Sequence, residues 1–165
     1  MTRSRQSKPP SPRSAPKPST TSWTTPEPGD VLSYAYLWHR EAKSGHEDGL
    51  KNRPSVVVVA RRVVDDYLQL LVAPNTHSPP VRGEDAVEIP SKAKRHLGLD
   101  EEQSWIVTSE LNRFIWPGPD VRLVKGRTGL SPFYGAIPEK LFLQVKERFL
   151  AKAKLGKIKM VKRTE

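Results

Sequence analysis

Two short polar stretches hold most of the residues able to do chemistry. The first runs from Gly45 through His46-Glu47-Asp48-Gly49 to Asn52-Arg53-Pro54, with only Ser55 between it and four consecutive valines. The second is Asn75-Thr76-His77-Ser78, directly after an aliphatic run. Arginine supplies forked, permanently charged donors and threonine a hydroxyl, a pairing suited to an anionic phosphorane. His77 adds an imidazole, which can act as acid or base near neutral pH. Each residue also has a plainer reading. Arg53 can be a surface cation beside a strand, Asn75 and Thr76 turn residues bonding their own backbone, and His77 an ordinary loop histidine. The set becomes chemical only if the two flanking strands are neighbours whose ends converge.

Other catalytic signatures are missing. The sequence has no Gly-rich phosphate loop, no Gly-x-Ser-x-Gly elbow and no His-x-x-x-His pair. His39, His46, His77 and His96 are scattered, and there is no cysteine, so neither metal-ligand spacing nor thiolate chemistry is in view. No metal and no cofactor are expected. Trp38, Phe114 and Trp116 are candidates for stacking on the bases of a single strand, although aromatic residues on strands more often fill cores.

The elements that would position these residues are mostly strands. Val31 to Trp38 is rich in aromatic and aliphatic residues and reads as a first strand. A polar loop of 14 residues, His39 to Asn52, follows; structureless loops of that length are often functional. Val56 to Val59 is β-branched throughout and reads as a central strand buried on both faces. Asp65-Asp66 marks a turn before a strand from Tyr67 to Ala73. Asn75 to Pro80 reads as a loop, because consecutive prolines cannot continue a ladder. Further strands are predicted at Ala86–Ile89, Ser104–Thr108, Leu111–Trp116 and Val121–Val124. A brief helix is capped by Ser91, buries Ala93 and Leu97 and stops at Gly98. A last helix opens at Pro138, with Leu141, Val145 and Phe149 on one face and Gly156 as its stop. Five to seven short strands with little helix between them imply a mainly β fold, a compact barrel with a short internal helix and a C-terminal helix.

The ends differ from the middle. Residues 1–26 are rich in Pro, Ser and Thr with almost no aliphatic side chains, and read as a disordered basic tail. The domain is placed at 27–155, with 156–165 as a basic C-terminal tail. The net charge of +10 sits at the two ends: 1–25 holds five bases and no acids, and 140–165 nine bases against two acids. Such tails attract phosphates without reading sequence, or simply confer solubility. No stretch approaches the run of ~20 apolar residues that spans a bilayer, and no apolar run follows the N-terminal bases, so a cytoplasmic protein with no membrane partner is expected.

A series of motifs, in order along about residues 28–150, resembles the PemK/MazF family of toxin ribonucleases. Gly29-Asp30-Val31 is similar to the family's opening Gly-Asp-(Ile/Val). Arg53-Pro54 before the valines resembles its Arg-Pro and hydrophobic strand, and Ala73-Pro74-Asn75-Thr76 its strand ending in Pro-x-Thr. Leu97-Gly98-Leu99 with Ser104 to Val107, and Phe133-Tyr134-Gly135 before the last helix, resemble its later segments. The spacing departs once: Gly45-x-Glu47-x-Gly49 is followed by three residues before Arg53, where the family pattern has one. The Trp116-Pro117-Gly118-Pro119-Asp120 segment has no counterpart in that pattern.

The resemblance implies an SH3-like barrel, usually homodimeric, that cleaves single-stranded RNA without metal and is neutralised by a cognate antitoxin. It maps the catalytic residues onto Arg53 and Thr76, with His77 an acid–base candidate. Glu47, Asp48, Asn52, Asn75 and Ser78 are the candidate RNA contacts. In such a reaction the ribose 2′-hydroxyl attacks the adjacent phosphate, one proton leaving that oxygen and another reaching the leaving oxygen. The competing readings are a non-catalytic barrel whose loop binds RNA or a protein partner, and a DNA-binding or gyrase-associated protein, since fold alone does not fix function.

Overall fold

The computed structural model describes residues 23–49, 51–126 and 129–163. It is mainly β, with ten strands and three helices among the described residues. β1 (Asp30–Tyr34), β2 (Arg53–Arg62), β3 (Leu68–Thr76), β6 (Glu110–Ile115), β9 (Phe133–Ala136) and β10 (Lys159–Lys162) form one path in the order β10-β6-β3-β2-β1-β9. β4 (Ala86–Glu88) pairs with β5 (Trp105–Val107), and β5 joins the sheet through β3; β7 (Val124–Gly126) and β8 (Gly129–Ser131) make a separate hairpin. All pairings are antiparallel except β10 with β6. β3 changes partner along its length, from β6 at Gln69–Val72 to β5 at Asn75–Thr76. A strand shared in this way turns a corner in the sheet.

The four valines do what their β-branched run implies, but only the first two are buried on opposite faces. Val56 joins Val31, Ala73 and Ile106 in one cluster; Val57 joins Leu32, Leu70 and Val72 in another. Both are fully buried, each worth roughly 1.5–3 kcal/mol against exposure. A register shift between Val57 and Val59 then ends the strict alternation, and Val58 and Val59 are only half buried. The first cluster is closed by α2 (Ser91–Leu97) through Ala93 and Leu97, and by α3 (Glu139–Lys154) through Leu141, Val145 and Phe149. On the other face Tyr34, Tyr36, Trp38 and Phe114 pack together, Tyr34 stacking on Phe114 at 4.6 Å.

Several boundaries move. The stretch from His39 to Asn52 is not all loop: α1 (His39–Lys43) opens it, with Glu41 accepting the Trp38 N–H at 3.2 Å. Its end is pressed against the chain after β1, for a Cβ on Gly49 would lie 2.4 Å from the Tyr36 carbonyl oxygen. Asn75 and Thr76 are strand residues; the ladder passes through Pro74, paired with Ser55, because its missing N–H does not stop its neighbours from bonding. Pro90, not Ser91, occupies the N-cap of α2, while Gly98 ends it in the left-handed conformation at φ 70°. Val121 makes a single bridge to Tyr34, and the strand begins at Val124.

The C-terminal segment departs furthest from its reading as a tail. Lys159–Lys162 is a strand beside β6, Val161 is buried, and Arg163 is buried with an ion pair to Asp120 at 3.0 Å. At the other end, the reading of a disordered tail falls mostly on residues 1–22, outside the described residues. Of the remainder, Pro26 is buried and the Trp23 ring lies 5.8 Å from that of Trp116. No helix among the described residues is long and apolar enough to cross a membrane.

Candidate functional site

β2 and β3 are antiparallel neighbours, so the start of one lies beside the end of the other. Ser55 pairs with Pro74, and carrying that register two residues further sets Arg53 opposite Thr76. The two polar stretches singled out in the sequence therefore converge. Residues 51–54 of the first stretch and 75–78 of the second line one open cavity of about 430 Å³, with Trp38 and Arg40 and with Lys94, Leu99, Asp100 and Ser104 from α2 and the chain after it.

Arg53 is half buried. One Nη1 hydrogen bond, 3.1 Å long, goes to the Asn75 carbonyl, and the guanidinium lies over the Trp38 ring at 5.1 Å. Arg40 lies over the same ring at 4.8 Å. Burial lowers Arg53 from the ordinary arginine value, as does Arg40; Glu41 and Tyr36 pull the other way. Arginine nevertheless stays charged at any physiological pH. Its Nε–H is buried and without a partner among the described residues, as is Asn75 Oδ1. A buried donor without a partner costs free energy comparable to a lost hydrogen bond. The side chain as a whole lines the cavity. Thr76 Oγ1 accepts the Ser78 N–H at 3.1 Å, which leaves its own hydrogen free to donate.

The opposite wall is built around Lys94, a residue the sequence reading passed over. Lys94 is 5% exposed although it sits on a surface helix. Its ammonium meets Asp100 Oδ1 at 2.7 Å, the Ser104 hydroxyl and the Glu102 carbonyl. Asp100 in turn faces His77, with Nε2 3.0 Å from Oδ2 and 3.2 Å from Oδ1. The hydrogen bond from Lys94 holds the Asp100 carboxyl below its ordinary value, against the opposing effect of burial and helped by the Lys94 charge. The only sequence hint of this wall was a lysine among the alanine and leucine of an amphipathic helix, a pattern that ordinarily describes a solvated residue.

The remaining candidates divide. Asn52, Asn75 and Ser78 line the cavity. Glu47 and Asp48 are exposed and do not line it. Trp38 lines it as well, whereas Phe114 is buried in the core and Trp116 packs against Trp23 and Phe133. His77, Asp100 and Glu102 offer ligand atoms all within 4.8 Å of one another, the spacing of a cation site. All three are exposed, and the Lys94 ammonium on Asp100 already supplies the positive charge a cation would bring.

No protein-family model matches the chain, and no curated protein matches it by sequence. Among solved structures the chain is similar to one described as an endoribonuclease in complex with its cognate antitoxin from mycobacterial species. The identity is 13%, the match covers 80% of this chain and 96% of that one, and the TM-score is 0.44. A likeness of this size decides neither family nor activity. The local chemistry has to carry the functional reading.

The cavity is electrostatically two-sided. Arg40, Lys51 and Arg53 make one side positive, and the carboxylate of Asp100 lies on the other. An anion entering it would be drawn to the arginines and their tryptophan platform.

Proposed function

We propose that the protein is a metal-independent endoribonuclease that cleaves single-stranded RNA by attack of the 2′-hydroxyl on the adjacent phosphate. It would act as a growth-inhibiting toxin of the PemK/MazF type, held in check by a cognate antitoxin. The observation that supports this reading is that Arg53, at the start of β2, and Thr76, at the end of the neighbouring β3, line the same cavity. An Arg fork on the non-bridging oxygens stabilises charge that grows as the phosphorane forms. The Thr76 hydroxyl donates to one of the same oxygens. Trp38, already faced by two guanidiniums, offers a surface for a base next to the scissile phosphate.

Incubating purified protein with a long single-stranded RNA in excess chelator tests the reading. The expected products carry a 2′,3′-cyclic phosphate and a 5′-hydroxyl, and a 2′-deoxy substitution at the cleaved nucleotide should block the reaction. Binding of varied RNAs without any cleavage would replace the enzyme by a binding module. A preference for duplex DNA would replace RNA as the ligand.

A further inference from the structure

Three residues on the cavity wall form a chain that the two-residue site does not use. Lys94 is buried, Asp100 is half exposed, and His77 directly follows Thr76 in sequence. We infer that Lys94 and Asp100 are positioning residues that hold His77 as the general base of the cleavage reaction. This rests on the ribonuclease reading.

Asp100 is ionised at neutral pH, so it can only accept hydrogen bonds. Both its oxygens lie within 3.2 Å of His77 Nε2, which must therefore carry the hydrogen. In the neutral ring Nδ1 is then the free lone pair. Lys94 determines how Asp100 is oriented. Its ammonium sits on Oδ1 and is itself fixed by the Ser104 hydroxyl and the Glu102 carbonyl. A carboxylate with one oxygen anchored in this way holds the imidazole in one tautomer and one orientation, as a buried aspartate does in a Ser-His-Asp triad.

The reaction lacks such a base otherwise. Arg53 is permanently charged, Thr76 is a weak acid, and Asp100 is already engaged by Lys94 and His77. His77 Nδ1 takes the 2′-hydroxyl proton as the O2′–phosphorus bond forms. The phosphorus–O5′ bond breaks with its electron pair on O5′, which takes a proton from cavity water. His77 is about half exposed, so it returns its proton to solvent and the cycle closes. The charged groups around the ring are Asp100 at Nε2, Glu102 at 4.0 Å from Nδ1 and Lys94 behind Asp100; Arg40, Lys51 and Arg53 line the same cavity.

Asp100→Asn discriminates a positioning role from a structural one. The amide keeps the shape, and Lys94 would draw its oxygen, turning the NH₂ toward His77 Nε2 and forcing the ring proton onto Nδ1. Imidazole nitrogen NMR of the full chain reads this directly: wild type should show Nε2–H, and the variant should shift to Nδ1–H. In cleavage assays with chelator, kcat should fall roughly tenfold or more with KM nearly unchanged, less than the ~10⁴ seen for a fully buried triad aspartate. His77→Ala should lose about 10² or more and remove the acidic limb of the pH–rate profile. Lys94→Met, if folded, should show a mixture of tautomers. An Nδ1–H ring in wild type overturns the proposal. So does a wild type that cleaves and fails with Arg53→Ala, while His77→Ala and Asp100→Asn keep activity within a few-fold and an unchanged pH profile. No cleavage by wild type overturns the ribonuclease reading and the base with it, and the NMR result then stands alone as evidence of how the ring is held.

Discussion

Arg53 is held by a backbone carbonyl on one side and an indole face on the other, and neither contact uses up its fork. If the free donors meet the phosphorane, Arg53→Ala should reduce cleavage by about 10²–10³ while leaving the fold intact. Comparing rates and thermal midpoints of the two proteins checks this; full activity in a folded variant would remove Arg53 from the chemistry. Thr76→Ala should cost the same or less, because the Thr76 hydroxyl adds one donor to a phosphate already met by a cation. Asp100 gives a pH-dependent expectation at the same scale. Its carboxyl lies below its usual value because Lys94 hydrogen-bonds it. The associated stability is therefore complete above the unfolded carboxylate value, about 3.9, and lost as pH falls below that through the folded value. Acid unfolding should begin at higher pH in Asp100→Asn than in wild type.

β10 is the element whose role the composition conceals most. Its strand is basic, yet it is anchored at its end by Arg163. That guanidinium donates to the Ala35 carbonyl at 2.7 Å and to Asn112 Oδ1 at 3.1 Å, and pairs with Asp120. Asn112 spans the same junction, accepting the Leu37 N–H and donating to the Leu37 carbonyl. The last strand thus fixes the run from Ala35 to Trp38, and Trp38 is the platform beneath Arg53. Burial raises the Asp120 carboxyl, while Arg163 and Arg122 lower it. Arg163→Met should therefore cost about 3 kcal/mol by leaving a buried carboxylate unpaired. A carboxyl raised in the folded state favours folding at low pH and loses that advantage as pH rises through its folded value. The deficit of the variant should accordingly be largest near neutrality and shrink in acid, which chemical denaturation at several pH values would show. An equal deficit at every pH would mean that packing, not the charge, holds β10.

At the scale of the molecule, the expectations concern the ends and association. Deleting residues 1–22 should leave the thermal midpoint within error, since that stretch lacks core-forming side chains. Extending the deletion through Pro26 removes a buried proline and the Trp23–Trp116 contact, and should lower it. Sedimentation at micromolar concentration should give roughly twice the 18.6 kDa of one chain, as the PemK/MazF resemblance implies. A monomer at the highest soluble concentration would count against that family reading. Charge also looks different at this scale. Lys152 pairs with Asp85, and Arg148 donates to the carbonyls of Gly83 and Ala86, so part of the C-terminal positive charge ties α3 to the β4 region.

The sequence by itself determined the local matters. A β-branched run made β2, a four-residue apolar spacing made the buried face of α3, and Gly98 closed α2 in the one conformation that favours glycine. It also marked Arg53 and Thr76, because their residue types and flanking strands are visible in one dimension. Only the tertiary structure decided that these strands are neighbours, that a lysine on α2 is buried, and that the lysine-rich segment after Gly156 contains a strand. Each depends on partners distant in sequence. Lys94 is buried because Asp100, Glu102 and Ser104 bring oxygens to it, and Lys159–Lys162 is ordered because β6 offers an unpaired edge. Charge patterning reports how a segment meets water, and it carries no record of an edge or a carboxylate that folding brings alongside.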